Sequence, residues 1–391
     1  MSAAFARLWA EIAPIGRDRA GGYVRYALSE PELVLRDWFR NQADRRDLTV
    51  TEDGNGNLFA WWGTPWARGA VLTGSHFDSV PQGGGYDGPL GIVSAFLAVD
   101  RLRDRGVVPE RPIGVVAFVE EEGGRFGVPC LGSRLLTGAI DPDRAAALRD
   151  RDGVTFGAAL GARPAGALPD LLARVDAVVE LHIEQGRALT VPVGVASAIW
   201  PHGRWRMDFT GDGDHAGTTR MVDRHDPMLT FAYTVLAADE EARLAGALAT
   251  IARVAVEPNA TNAIPSLVRG WLDARAADTA TLDVLVEAVL KRAVDRASRD
   301  GTQVTVEPES TSPEVVFDTS LAARLAGLLG GAPILPTGAG HDAGVLSAHV
   351  PTAMLFVRNP TGVSHSPAEH ASDDDCAAGV DALATVLEEL T

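Results

Sequence analysis

The chain has 391 residues, 46% of them hydrophobic and 22% charged, which supplies material for a packed core and excludes disordered and collagen-like classes. At roughly 100–200 residues per domain it has room for two or three domains. A formal net charge of −17, with no basic patch to offset it, repels phosphate backbones and argues against a nucleic-acid partner.

The first half alternates short apolar runs with helical patterns. Asn57–Gly63 and Ala70–Ser75 read as strands. Pro89–Arg105 reads as a helix, with Pro89 at its first turn and Ile92, Val93, Phe96, Leu97 and Leu102 on one stripe. Ile113–Val119 and Ala177–Ile183 are continuous apolar runs, suited to strands buried on both faces. The pattern changes after about Trp200: strand Arg204–Gly211, helix Pro227–Leu244, strands Ala249–Glu257 and Leu267–Arg275, helix Thr281–Ala297, strand Gln303–Glu307. The order β-α-β-β-α-β is the ferredoxin-like signature. From about Pro313 the first pattern resumes, with a helix at Ser320–Leu329, a strand at Ala353–Val357 and a last helix at Asp375–Leu390. The expectation is an α/β catalytic domain, a mostly parallel sheet flanked by helices, built from residues 1–202 and 313–391. Residues 203–312 would form an inserted ferredoxin-like α+β domain.

Lys291 is the only lysine and lies in an amphipathic stretch, so there is no candidate for a phosphate-binding P-loop. Cys130 and Cys376 allow at most one disulfide and read as reduced thiols; Cys130 is given no role. The amino-terminal segment lacks the basic and apolar regions of a signal peptide, and runs such as Val115–Val119 are too short to span a bilayer. A cytoplasmic protein with no membrane association is expected.

Five segments place polar residues beside apolar strands: Gly74–Ser79, Gly83–Gly88, Glu120–Arg125, Glu180–Gly186 and Gly362–Pro367. His76 and Asp78 point the same way at a period of two. The glycines before Asp87 allow a sharp turn that swings its carboxylate toward His76. Three carboxylates in a row at Glu120–Glu122 repel one another unless a cation is present. Imidazoles and carboxylates without thiolates suit Zn²⁺, Mn²⁺, Co²⁺ or Ni²⁺, and such donors can hold two ions through one bridging carboxylate. Strand ends are where open α/β sheets keep their ligand sites. His202, His225, His349 and His370 stand outside any such grouping, and Trp61 and Trp62 read as packing residues.

In this order the segments resemble the M20-type metallo-amidohydrolases, closest to the branch of N-carbamoyl-L-amino acid hydrolases, allantoate amidohydrolases and β-ureidopropionases. The motifs are GSHFDS, GGGYDGPLG, EEEGGRFG, ELHIEQG, DHAGTTRM, PNATNAIP, LDAR, GAGHDA and GVSHSPAE. The resemblance implies two divalent metal ions per subunit, zinc or manganese. His76 and His182 would hold one, Glu122 and His365 the other, and Asp87 would bridge them. It implies Glu121 as the general base, Asp78 as the residue orienting His76, and Gln185 as a contact to the carbamoyl or ureido group. Residues 203–312 would act as lid and dimerisation domain of a homodimer, with His215 stabilising the oxyanion from the partner subunit, and Asn262 and Arg275 would hold the substrate carboxylate. The activity implied is C–N hydrolysis of a ureido or N-carbamoyl group on a small carboxylic acid. Two alternatives stand beside it: a related aminoacylase or dipeptidase acting on N-acyl amino acids, and a binding module without turnover, against which Glu121 and the full ligand set argue. Arg220, Asp214 and the Arg358–Thr361 loop depart from the usual pattern and leave the particular ureido acid open.

Overall fold

A computed structural model describes residues 2–391. The chain divides into two compact units, Met1–Ile199 with Val316–Thr391, and Trp200–Val315. In chain order the strands are β1 (Thr49–Glu52), β2 (Leu58–Trp62), β3 (Ala70–His76), β4 (Ile113–Phe118), β5 (Val175–Ile183), β6 (Val193–Ile199), β7 (His202–Thr210), β8 (Leu248–Glu257), β9 (Leu267–Arg275), β10 (Gln303–Ser312), β11 (Val315–Val316), β12 (Ile334–Thr337) and β13 (Thr352–Val357).

The large sheet runs β1-β2-β4-β3-β5-β13-β6-β11, with β12 beside β6. Its centre is parallel: β3 pairs with β4 and β5, and β5 with β13. The flanks are mixed, since β2 pairs antiparallel with β1 and β4, and β6 antiparallel with β13. Both faces are covered. Val71, Val115, Val179, Leu181 and Leu355 pack under the Pro89–Asp104 and Asp373–Leu390 helices, joined by Phe5 and Ile12 of Ser2–Ile12 and Leu35 and Phe39 of Glu30–Asp44. On the other face, Leu72, Val116, Phe118 and Val178 meet Phe59, Trp61, Leu346 and Val350. Successive strand residues point to opposite sides, which is why every residue of β4 and β13 is buried.

The second unit has the order β10-β7-β9-β8, all neighbours antiparallel. Helices Pro227–Ala245 and Thr279–Asp300 complete the β-α-β-β-α-β unit. Leu282, Leu285, Val286, Val289 and Ala293 form its helical stripe against Met207, Phe209, Val268 and Leu272. Strand β10 continues to Ser312, beyond the expected Glu307, because it keeps pairing with β7 after an irregularity at Pro308 and Ser310. No helix among the described residues is long and apolar enough to cross a membrane.

Candidate metal centre

The parallel strands β4, β3, β5 and β13 end on one edge, and that edge carries the site. His76 closes β3 and His182 lies in β5, both fully buried. Their Nε2 atoms lie 3.6 Å and 3.2 Å from Asp87 Oδ1. The other carboxylate oxygen, Oδ2, faces His365 Nε2 at 3.5 Å, and that nitrogen lies 3.3 Å from Glu122 Oε2. Two triads with ion-binding spacing therefore meet at Asp87: His76–Asp87–His182, and Asp87–Glu122–His365.

Backbone shape brings Asp87 there. Gly88 has φ +86, and a Cβ on it would collide with the His76 ring. A Cβ on Gly84 would collide with the Glu369 carboxylate, which accepts hydrogen bonds from the amides of Tyr86 (2.8 Å) and Asp87 (3.0 Å). Glu369 thus ties the Asp87 turn to the segment that bears His365. Burial, with Asp87 adding to it, raises the Glu369 carboxyl to about 7.

The imidazoles are oriented by main chain. His76 Nδ1 bonds the carbonyl of Asp78 at 3.0 Å, and His182 Nδ1 the carbonyl of Ile183 at 2.9 Å, which leaves both Nε2 atoms directed at Asp87. Asp78 meets the His76 ring through its carbonyl. Its carboxylate is 3.7 Å from the ring and instead accepts the amides of Glu121 (3.1 Å) and Glu122 (3.0 Å), positioning that peptide.

Charge is crowded here. Burial would raise the Asp87 carboxyl, but His182 and His76 outweigh it and hold it well below the usual carboxylate range. Burial works against a charged His76, yet Glu121, Asp87 and Asp78 lift it well above its ordinary value. Burial raises Glu121 and Glu122 well above theirs, with neighbouring carboxylates adding and His76 opposing. The Nε2 atoms of His76 and His182 are buried with no hydrogen-bond partner among the described residues. Unpartnered imidazole nitrogens facing a carboxylate-rich cluster fit divalent cations.

A third grouping, Glu180–His182–His341, sits beneath the first. Glu180 already accepts from Ser75 Oγ (2.7 Å) and from the Ala343 amide (3.0 Å), so its oxygens are engaged in holding strand β3 and the Asp342–Leu346 helix together. His341 is buried against His182, ring centroids 4.5 Å apart, and neither ring nitrogen has a partner among the described residues. Burial and His182 push it well below its ordinary value, so it faces the site as a neutral ring. Glu180, His341 and Glu369 lie in motifs quoted above, but sequence reasoning gave them no role; strand alternation placing Glu180 beside His182 was the available signal.

Gln185 donates to Asp87 Oδ2 (2.8 Å) and Ser364 Oγ (3.2 Å), and its carbonyl oxygen is buried without a partner among the described residues. In the second unit, His215 and Asn262 come together on two loops zipped by Ala216 N to Asn262 O (2.9 Å) and Ile264 N to Asp214 O (2.8 Å); both are exposed. Arg275 is elsewhere. It ends β9 opposite His202, whereas Leu267 at the other end of that strand pairs with Thr210 next to the His215 loop. Eight strand steps at ~3.3 Å place the two ends about 26 Å apart. The structure therefore brings His215 to Asn262, and does not bring Asn262 to Arg275. Of the departures, Arg220 pairs with Asp223 at the surface (2.6 Å). Arg358 pairs with Asp375 (2.9 Å), and buried Asn359 braces the loop leading to His365, donating to the carbonyls of Glu184 and Val363 and accepting from the amides of Thr361 and Gly362.

The fold and the site together define a hydrolase with a candidate metal centre. The chain belongs to peptidase family M20/M25/M40, whose profile matches residues 72–389. It is 36% identical to an N-carbamoyl-L-amino acid amidohydrolase of Geobacillus stearothermophilus over 96% of each chain. It is 33% identical to the allantoate amidohydrolase of Escherichia coli, over 97% of this chain and 95% of that one. Among solved structures, a hydantoinase/carbamoylase family amidase from Burkholderia ambifaria matches with a TM-score of 0.88 and 33% identity, covering 100% of this chain and 97% of the other.

Proposed function

We propose that this chain hydrolyses the C–N bond of a ureido or N-carbamoyl group on a small carboxylic acid, allantoate or an N-carbamoyl-L-amino acid. The observation that carries the reading is Asp87, with one oxygen toward His76 and His182 and the other toward His365 and Glu122. The relatives' activities point to the same bond. His76 and His182 would hold one divalent ion, Glu122 and His365 the second, and Asp87 both; zinc and manganese suit these donors, as do cobalt and nickel. Bound there, the ions would acidify the attacking water and polarise the carbonyl.

The chain's own groups do the rest. Glu121 takes a proton from the attacking water and passes it to the departing nitrogen, a transfer helped by a pKa raised through burial. Gln185 presents its unpartnered carbonyl to a ureido N–H. His215 donates to the oxyanion, and Arg275 reads the substrate carboxylate with its planar fork. A molecule as small as a ureido acid cannot touch both ends of β9 in one inserted domain, about 26 Å apart by strand rise. This favours a homodimer in which one subunit supplies Arg275 and its partner supplies His215 and Asn262. Two buried cysteines kept as thiols suit the cytoplasm.

The test is ammonia release from allantoate, N-carbamoyl-β-alanine and several N-carbamoyl-L-amino acids, with Mn²⁺ and Zn²⁺ added separately. Turnover on at least one, abolished by chelation and restored by metal, is expected. No ammonia from any of them, with amine released from N-acyl amino acids instead, would move the assignment to an aminoacylase.

A further inference from the structure

Cys130 is buried, has a left-handed backbone (φ 54), and stands at the start of the Leu131–Thr137 helix. Its amide donates to the carbonyl of Glu121 at 2.7 Å, and its thiol donates to Glu121 Oε1 across 3.6 Å. The second carboxylate oxygen, Oε2, faces His76 Nε2 at 3.6 Å, the buried ring nitrogen that has no hydrogen-bond partner among the described residues. The Glu121 amide is held by Asp78. The neighbouring turn is braced as well, because Ser133 Oγ lies within hydrogen-bond distance of both the Cys130 carbonyl and the Asp342 carboxyl. The side chain of Glu121 is therefore gripped at one oxygen from outside the centre while the other is directed into it.

We propose that Cys130 is a positioning residue for the general base: its thiol fixes the rotation of the Glu121 carboxylate so that Oε2 faces the reacting water. The inference rests on Glu121 being that base. The physical need is specific. The terminal torsion of a glutamate is broad, so a carboxylate held only by its backbone samples many orientations, and a proton acceptor out of line loses rate. A thiol is a weak donor, so it orients the carboxylate without drawing away much of its basicity. Burial, and then Glu121, push the Cys130 thiol well above its ordinary value, which keeps the S–H proton in place at neutral pH.

The variants are Cys130→Ala, which removes the donor without putting a branched side chain on the left-handed backbone, and Cys130→Ser, which restores one. Cys130→Ala is expected to lower kcat on an N-carbamoyl amino acid about tenfold with KM and bound metal unchanged, less than the ~10²-fold that an ångström of misplacement costs. Cys130→Ser should return to within about threefold of the parent. In a Glu121→Gln background, Cys130→Ala should change nothing further. A Cys130→Ala enzyme within about twofold of the parent, or Ser and Ala falling alike, overturns the proposal.

The second measurement needs no turnover. With Cys376→Ala, Cys130 is the one remaining thiol, and its S–H stretching band can be read in the infrared. Adding Glu121→Ala should move that band to higher frequency as the hydrogen bond is lost; an unmoved band overturns the contact. This result stands even if Cys130→Ala fails to fold, and even if no ureido acid is hydrolysed, an outcome that would defeat the assigned reaction and leave the thiol contact to be judged by the band.

Discussion

The two units carry candidate site residues in opposite ways. In the sheet domain, His76, Asp87, Glu121 and His182 are buried and held by main chain or by one another before anything binds. In the inserted domain, His215 and Asn262 are exposed on loop tips, and Arg275 ends a strand at the far end of the same sheet. Bond chemistry demands fixed geometry, and burial supplies it. The proposed substrate contacts His215 and Asn262 have no such burial. The difference is that the candidate metal ligands are preorganised by their own unit, whereas the candidate substrate contacts lie on the surface of theirs.

The sharpest way to break the first half of this contrast is Glu121→Gln. The amide has nearly the same shape, keeps the Asp78 contact to the backbone, and cannot take a proton. A loss of about 10²- to 10⁴-fold in kcat is expected, with metal content per subunit unchanged by elemental analysis. Loss of metal in parallel would place Glu121 among the ligands instead.

The second half is tested by mixing. His215→Ala and Asp87→Ala subunits should each be inactive, since one would lack the proposed oxyanion donor and the other the proposed bridging carboxylate. Equal mixing of exchanging dimers should restore about a quarter of parent activity, because half the dimers are mixed and each of those has one intact site. Proven subunit exchange without recovery would mean that one subunit completes its own site.

Metal removal tests preorganisation thermodynamically. An ion that binds the folded centre and not the unfolded chain, present at about 100 times its dissociation constant, adds ~2.7 kcal/mol of stability. The melting temperature should therefore fall on chelation and recover on adding Mn²⁺ or Zn²⁺. An Asp87→Ala variant should show a much smaller response, and an equal response would place the ions elsewhere.

These contrasts also mark what was legible in the sequence. The central strands were readable because continuous apolar runs such as Ile113–Phe118 have little else to become. Strands β6 and β12 were not, because Val193–Ile199 is built from small residues and Ile334–Thr337 has four residues and a proline; pairing within the sheet makes them strands. Motifs supplied the candidate ligands. Sequence could not give the contacts that hold them, since Glu369 reaches Tyr86 across 283 positions and Glu180 meets Ala343 across 163. Nor could it separate Asn262 from Arg275, thirteen positions apart yet at different ends of the inserted sheet, because strand direction and register decide that.

The smallest effect concerns the Arg275 end of the inserted sheet. His202 pairs with Arg275 across β7 and β9, and its Nδ1 meets the carbonyl of Trp200 at 3.2 Å. Burial lowers its pKa below 6.5; Arg275 and Arg204 lower it further, against the Trp200 carbonyl and Asp273. The sign follows from proton counting. Below pH 6.5 the unfolded chain binds a proton at this position before the folded chain does, so stability is lost as pH falls from 6.5 through the folded value, and regained as it rises. The His202 ring resonance in the intact protein should titrate with a midpoint below 6.5, and Arg275→Gln should move that midpoint part of the way back by removing the positive charge that lowers it most. A midpoint at or above 6.5 would mean that this end of the sheet is hydrated and that Arg275 is turned away from it. An unchanged midpoint in Arg275→Gln would leave burial and Arg204 as the causes, and the Arg275 guanidinium would then lie too far off to act on the ring.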